Sequence, residues 1–170
     1  ADKVVLPGVG SFGDAMENLH HFGLVPVIHQ VVQEQTPFLG ICLGLQLLFE
    51  KSEESPGVEG LGILKGEILR IPAAEGLKIP HMGWNNIRFP NKGRLFAGVP
   101  EDAYVYFVHS YYLKAQDEKI VTATTEYGTH IHASVESGNL FACQFHPEKS
   151  SHVGLQILKN FAKLEGKGGR

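Results

Sequence analysis

Residues 38–50 read FLGICLGLQLLFE, and the reading of this run decides the fold. Residues 38–41 form a short apolar stretch of the kind that makes a buried strand. The run passes through Cys42 straight into an apolar helical segment, residues 43–50. Gly40-Ile41-Cys42-Leu43-Gly44 is thus G-x-C-x-G between a strand and a helix, the nucleophile-elbow logic of G-x-S-x-G with sulfur in place of oxygen. Such a turn strains the nucleophile, and the flanking glycines remove side chains that would clash. At a helix N-terminus the dipole and free N–H groups are expected to favour thiolate. The Leu43 N–H is expected to point where an oxyanion develops. Standing alone, the spacing fits a small buried cysteine ahead of a core helix about as well. Gln46 lies one helical turn further on, and a lone amide in so apolar a run must find partners. It is expected to hold the polar end of a substrate; the competing reading is a structural hydrogen bond.

Upstream, residues 2–6 read as a short strand ending at Pro7 and a Gly-rich turn, followed by helices over about residues 14–21 and 24–34. Gly8, Gly10 and Gly13 spell the dinucleotide fingerprint G-x-G-x-x-G. That reading is rejected, because Pro7 precedes the first glycine and no strand ending in an acidic residue follows at the right distance. The chain opens on Ala1 and enters a strand almost at once, so an N-terminal strand–helix unit is expected to be missing. Downstream, 52–62 reads as a loop, and 66–71 and 85–89 as strands of an antiparallel elaboration. Further strands are expected at 104–108, 120–125, 130–135 and 140–145, with a closing helix at 151–164. One domain, residues 1–170, accounts for this pattern, and the basic, Gly-rich end from Lys163 to Arg170 reads as frayed.

The base is expected in Gln144-Phe145-His146-Pro147-Glu148-Lys149, at the end of the last strand. A cysteine hydrolase needs a histidine to take and return a proton, and a carboxylate or amide to fix its tautomer. His146 and Glu148 are two residues apart on an extended segment, so their side chains can share a side. His130 and His132 alternate along one strand, where a solvent-facing position is expected rather than a metal site. Cys143, between Phe141 and Phe145, reads as core. The two cysteines suggest no disulfide framework, and a reducing cytoplasm is expected. A net charge of −3 without a long basic run argues against nucleic acid or an anionic membrane as the main partner.

GICLG-x-Q with a distal FHPE resembles the class I glutamine amidotransferases, whose triad is Cys, His and Glu in that chain order. PGVGSFGDAM (7–16), PHMGWN (80–85), YFVHSYY (106–112) and FHPEKSS (145–151) are similar to the branch that serves imidazole glycerol phosphate synthases of histidine biosynthesis. The resemblance implies a flavodoxin-like α/β fold, a mixed central sheet flanked by helices with an added antiparallel elaboration. It implies Cys42, His146 and Glu148 as the triad, and an oxyanion hole from Leu43 with Val9 or Gly10. There, glycine permits a peptide flip that turns an N–H inward only on activation. It also implies that Gly10, Gln46, His109, Ser110 and Tyr111 line the glutamine pocket. The expected partner is a (βα)8-barrel cyclase subunit, met by Trp84, Asn85, Tyr106 and Lys149, although Trp84 and Tyr106 fit core packing equally well. No metal or other cofactor is expected. The alternatives are a glutaminase serving GMP, anthranilate or pyridoxal phosphate synthesis, a lone γ-glutamyl hydrolase, or a silent regulatory subunit.

Overall fold

The computed structural model describes residues 1–165. Its frame is an eight-stranded mixed sheet whose deepest strand, β2 (Phe38–Ile41), is buried at every residue. β1 (Val4–Leu6) and β10 (Leu140–Cys143) flank β2 in parallel, so Cys143 lies opposite Ile41. From β10 the sheet continues antiparallel through β9 (His130–Ser137), β7 (Tyr111–Ala115) and β4 (Gly66–Arg70). β3 (Lys51–Ser52) closes that edge in parallel, and β8 (Val121–Glu126) pairs separately with β9. A second, two-stranded ribbon is formed by β5 (His81–Asn86) and β6 (Tyr104–His109).

Alternation along the strands separates two cores. Phe38 joins Phe12, Met16, Leu45, Leu48 and Phe49 on one side. Leu39 and Ile41 join Phe107, Phe141, Phe145, Ile157 and Phe161 on the other. Helix α1 (Phe12–His21) buries Phe12, Met16 and Leu19, one stripe at helical spacing, with the Ser11 side chain accepting from the Asp14 N–H as N-cap. Each fully buried phenylalanine or leucine stabilises the fold by about 1.5–3 kcal/mol. Helix α4 (Ser151–Ala162) covers the second core, with Ile157 and Phe161 inward.

Most expected elements are present within a few residues, and three differ. The helix after Cys42, α3, spans only Leu43–Leu47 rather than reaching Glu50. Carbonyls of residues 47–50 accept instead from Gly60, Leu61, Gly62, Ile63 and Leu64, so the chain leaves the helix to meet a loop. The strand expected at 85–89 lies at His81–Asn86, because Gly83 sits inside the ladder at φ +128° rather than at a turn. Beyond it Ile87 still bonds to Ala103, and Arg88 bridges to Thr124. Strand β7 was not anticipated. The chain breaks at Ser110 and passes from the ribbon into the main sheet, so 109–111 is a crossing between sheets. The second helix, α2, runs Leu24–Gln33, close to its expected bounds. The expected frayed end falls partly outside the described residues.

The junction of β2 and α3 is set by two glycines. A Cβ on Gly44 would stand 1.9 Å from the Leu6 carbonyl oxygen, and one on Gly40 would stand 2.9 Å from the Gly44 carbonyl oxygen. Both neighbours are backbone and cannot yield cheaply. Gly44→Ala should therefore cost about 3 kcal/mol or more, read as a drop in melting temperature or loss of soluble protein. Gly8→Ala, whose added methyl meets Leu43 at an ordinary 3.6 Å, should cost far less. Equal melting temperatures for the two variants would refute this account of the junction.

Candidate active site

Cys42 occupies the joint between β2 and α3 at φ 57°, ψ −110°, a conformation rarely tolerated outside glycine. Its N–H donates to the Cys143 carbonyl at 2.8 Å, and its own carbonyl accepts from Leu45 at 3.0 Å. Its Sγ lies 3.9 Å from the Val108 carbonyl oxygen and 3.6 Å from Gln144 Nε2. The thiolate expected at this helix start is not the resting form. Burial pushes the thiol up to about 11, outweighing the Leu43 N–H and the Gln144 amide, which act the other way. A five-residue helix has a weak dipole to set against that burial.

His146 is placed by β10 and by its neighbour β6. Its N–H donates to the Tyr106 carbonyl at 2.9 Å. The Ser150 hydroxyl donates to the His146 carbonyl at 2.6 Å and accepts from the Tyr106 N–H at 2.9 Å. The turn after the strand is thereby pinned at both ends. His146 Nδ1 meets Glu148 Oε2 at 2.8 Å, which leaves Nε2 as the proton-accepting nitrogen. Nε2 is buried and without a hydrogen-bond partner among the described residues. Glu148 is half exposed, so its carboxylate reaches the ring from the solvent side.

All the residues expected to bind substrate or an oxyanion line one cleft of about 430 Å³. Val9 and Gly10 form one wall, Cys42, Leu43 and Gln46 lie at the α3 start, and His109, Ser110 and Tyr111 form the sheet crossing opposite. Gly10 holds φ +101°, which only glycine adopts readily. His146 and Glu148 line a smaller cavity of about 290 Å³ with Pro7 and Gly8, and Val9 belongs to both. Gln46 lines the cleft, and the structural hydrogen bonds of the competing reading are present: its Nε2 donates to the Tyr111 carbonyl at 3.1 Å and to Gln144 Oε1 at 3.0 Å. Its amide protons are thus taken, and only its oxygen is left to receive a substrate donor.

Four polar residues in or beside this cleft were not singled out from the sequence. Glu54 and Arg70 line it and bring both signs of charge. Gln144 and His81 lie buried behind it. Gln144 carried the same signal as Gln46, a lone amide in the apolar stretch 140–145. His81 had none beyond its place in PHMGWN. His81 Nδ1 meets His109 Nε2 at 2.9 Å, and His109 Nδ1 donates to the Tyr111 carbonyl at 2.8 Å.

On the ribbon, Met82, Trp84 and Tyr104 face outward and are more than half exposed, with Trp84 set edge-on to the half-buried Tyr106. Trp84 is therefore not a core residue. Lys149 is exposed, whereas Asn85 is half-buried on the inner face, its amide donating to the Glu126 carbonyl at 3.0 Å. His130 is exposed beside Glu126, but His132 is buried and accepts from the Ala115 N–H at 3.0 Å. The expected solvent face holds for only one of the pair, because His132 sits under the β7–β9 pairing. Cys143 is fully buried in the second core.

A strained, buried Cys42 after β2, a His146–Glu148 pair after the adjacent parallel strand β10, and a cleft lined by both charges thus lie at the same end of the sheet. The family model "Glutamine amidotransferase class-I" matches residues 1–164, and the chain belongs to that family. Its curated relatives include three proteins named "Imidazole glycerol phosphate synthase subunit HisH". The one from Moorella thermoacetica is 57% identical over 96% of this chain and 77% of its own length. Those from Aquifex aeolicus and Bacillus subtilis are 52% and 50% identical, again over 96% of this chain, and over 78% and 79% of their own lengths. Among solved structures, "Crystal structure of glutamine amidotransferase" superposes with a TM-score of 0.68 at 19% identity, over 95% of this chain and 79% of that one. "Structure of PurLQS from Thermotoga maritima" gives 0.68 at 22%, over 95% and 78%. At such identities these two carry the fold alone, and they agree with the class I amidotransferase architecture. No helix among the described residues is long and apolar enough to cross a membrane.

The paired histidines generate a pH dependence. Burial, offset in part by the Tyr111 carbonyl and reinforced by His146, lowers His109 from 6.5 to about 4. Burial, and then His109, lowers His81 to about 3. Both folded values lie below the unfolded one, so the unfolded chain binds more protons between them. Stability contributed by the neutral pair is complete above about pH 6.5 and declines as the pH falls toward 4. His109 alone should account for about 3 kcal/mol across that window. Urea midpoints measured from neutral pH downward should fall for the parent chain and fall less for His109→Gln. An unchanged acid slope in the variant would contradict the assignment.

Proposed function

We propose that this chain is the glutaminase subunit of an imidazole glycerol phosphate synthase in the cytoplasm. It hydrolyses L-glutamine to glutamate and ammonia and passes the ammonia to a (βα)8-barrel cyclase subunit, for histidine biosynthesis. The observation that carries the chemistry is a strained, cleft-lining Cys42 just after β2 and, just after the adjacent β10, a His146 whose Nδ1 is held by Glu148 and whose Nε2 has no hydrogen-bond partner among the described residues. The relatives named above supply the choice of synthase.

In this reading His146 Nε2 removes the Cys42 thiol proton, and sulfur attacks the side-chain amide carbon of glutamine. The Leu43 N–H and an N–H of Val9 or Gly10 receive the developing oxyanion. The proton on His146 passes to the departing nitrogen, which leaves as ammonia with a γ-glutamyl thioester on Cys42. Water then attacks the thioester, giving its proton to His146, and glutamate departs with the thiol restored. Glu148 holds the imidazole and stabilises its charged form without taking the proton itself. The free amino acid is a zwitterion. Glu54 and the Gln46 oxygen suit its ammonium, and Arg70 suits its carboxylate. The outward face of the ribbon, with Trp84 and Tyr106, together with Asn85 and Lys149, provides the contact with the cyclase.

A thiol held up to about 11 also fits a subunit that is nearly idle alone. Cyclase and its ligand then activate it by favouring a Val9–Gly10 peptide with its N–H inward. Losing one such donor corresponds to about a hundredfold to a thousandfold in rate.

Cys42→Ala should abolish glutamine-dependent synthesis in the reconstituted complex and leave synthesis from ammonium salts intact. Retained glutamine-dependent turnover would remove Cys42 from its role. Glu148→Gln should lose less activity than His146→Ala, and equal losses in kcat would argue for a different orienter. The chain without cyclase should turn glutamine over at about a hundredth of the complex's rate or less. Equal rates, with the chain shown to be folded, would sink the gating reading.

A further inference from the structure

We propose that the side-chain amide of Gln144 is a dedicated hydrogen-bond donor to the nucleophilic sulfur, held in that orientation by a buried polar chain anchored on the Tyr111 backbone carbonyl. The word nucleophilic rests on the glutaminase reading; the contact does not. Gln144 is completely buried, and its Nε2 stands 3.6 Å from Cys42 Sγ. The two ends of an amide have the same shape, so what faces the sulfur is decided by the partners at the other end.

Those partners leave no choice. The Tyr111 carbonyl can only accept, and it receives Gln46 Nε2 at 3.1 Å and His109 Nδ1 at 2.8 Å. The nitrogen end of Gln46 is thereby fixed, and its second proton reaches Gln144 at 3.0 Å. Gln144 must meet that proton with its oxygen, which turns its own N–H groups toward Cys42. Inverting Gln144 would set two donors against each other and present an oxygen to a sulfur that must become an anion. The far side of the carbonyl is equally determined. His109 gives its Nδ1 proton to Tyr111, so its Nε2 accepts from His81 Nδ1, and His81 Nε2 accepts from Asn85 at 3.3 Å. Every donor in this chain faces an acceptor, the condition under which a buried polar network rigidifies rather than destabilises a core.

The donor acts on the step that burial makes hardest. A buried thiolate needs N–H groups aimed at it, and hydrogen bonds to an ionised group are about twice as strong as neutral ones. Gln144 stands within reach of this sulfur, and the Leu43 backbone N–H acts on it in the same sense. When Leu43 turns to the oxyanion of the tetrahedral intermediate, Gln144 is the donor that stays with sulfur. The charged groups acting from the neighbouring turn oppose each other: Glu148 disfavours ionisation and Lys149 favours it. Cys143 lies buried beneath, and His146 is the base itself.

The test is Gln144→Met in the full chain, which keeps length and removes the donor. The rate of Cys42 alkylation by iodoacetamide should fall about tenfold at every pH below the thiol's own pKa. For glutamine hydrolysis in the complex, kcat should fall while KM changes little. A lowered melting temperature with an unchanged pH–rate profile would reduce Gln144 to a packing residue and overturn the proposal. If the variant does not fold, the parent chain still decides. The Gln144 side-chain amide protons should shift in the NMR spectrum as Cys42 titrates, and fixed resonances would overturn the proposal. Slowed alkylation in Gln144→Met, with no glutamine turnover by the parent complex, would support the donor and sink the glutaminase reading instead.

Discussion

The approach of α3 to β1 at Gly44 is the constraint on which the site depends. With no side chain there, the helix start lies directly against the Leu6 carbonyl, and the chain must reverse within one residue after β2. That residue is Cys42, and its positive φ follows from the packing rather than from any preference of cysteine. Strain of this kind costs about 1–3 kcal/mol and persists only where the surroundings over-determine it. Here they do: β1 and β10 grip β2 from both sides, and the Cys143 carbonyl takes the Cys42 N–H.

The same enclosure sets the resting chemistry. Burial that holds the turn also disfavours the thiolate, and a short helix does not compensate. Across the β2–β10 pair, the His146 ring is locked by Glu148 and by a turn bonded to Tyr106, yet its second nitrogen has no partner among the described residues.

Local signals revealed the parts of the site that sit in short contiguous runs. Residues 38–44 announce a strand, a strained turn and a helix through glycine spacing and apolar continuity, and 145–148 announce through residue type the histidine–carboxylate pair that meets at 2.8 Å. The α/β class and the order of most strands follow from periodicity. What stayed hidden depends on contacts between distant segments. Nothing in 43–50 shows that the loop at 60–64 will claim its carbonyls and end α3 early. Ser110 gives no sign that the chain changes sheets there, and His132 looks like His130 until β7 covers it. The expectation of a resting thiolate failed similarly, because it weighed a helix end and could not weigh the desolvation around it.

The parallel pairing of β2 with β10 has a consequence for the time at which the protein becomes chemically competent. Gln144 is 102 positions beyond Cys42, and the two strands are adjacent in the finished sheet. During synthesis, β2 and Cys42 are made long before β10 and His146 exist. Non-local parallel pairing is also a slow event in folding. A nascent chain therefore exposes the cysteine of an amidotransferase without its histidine until β10 has slotted in beside β2. Sheet order thus keeps Cys42 and His146 apart until the centre of the sheet has closed.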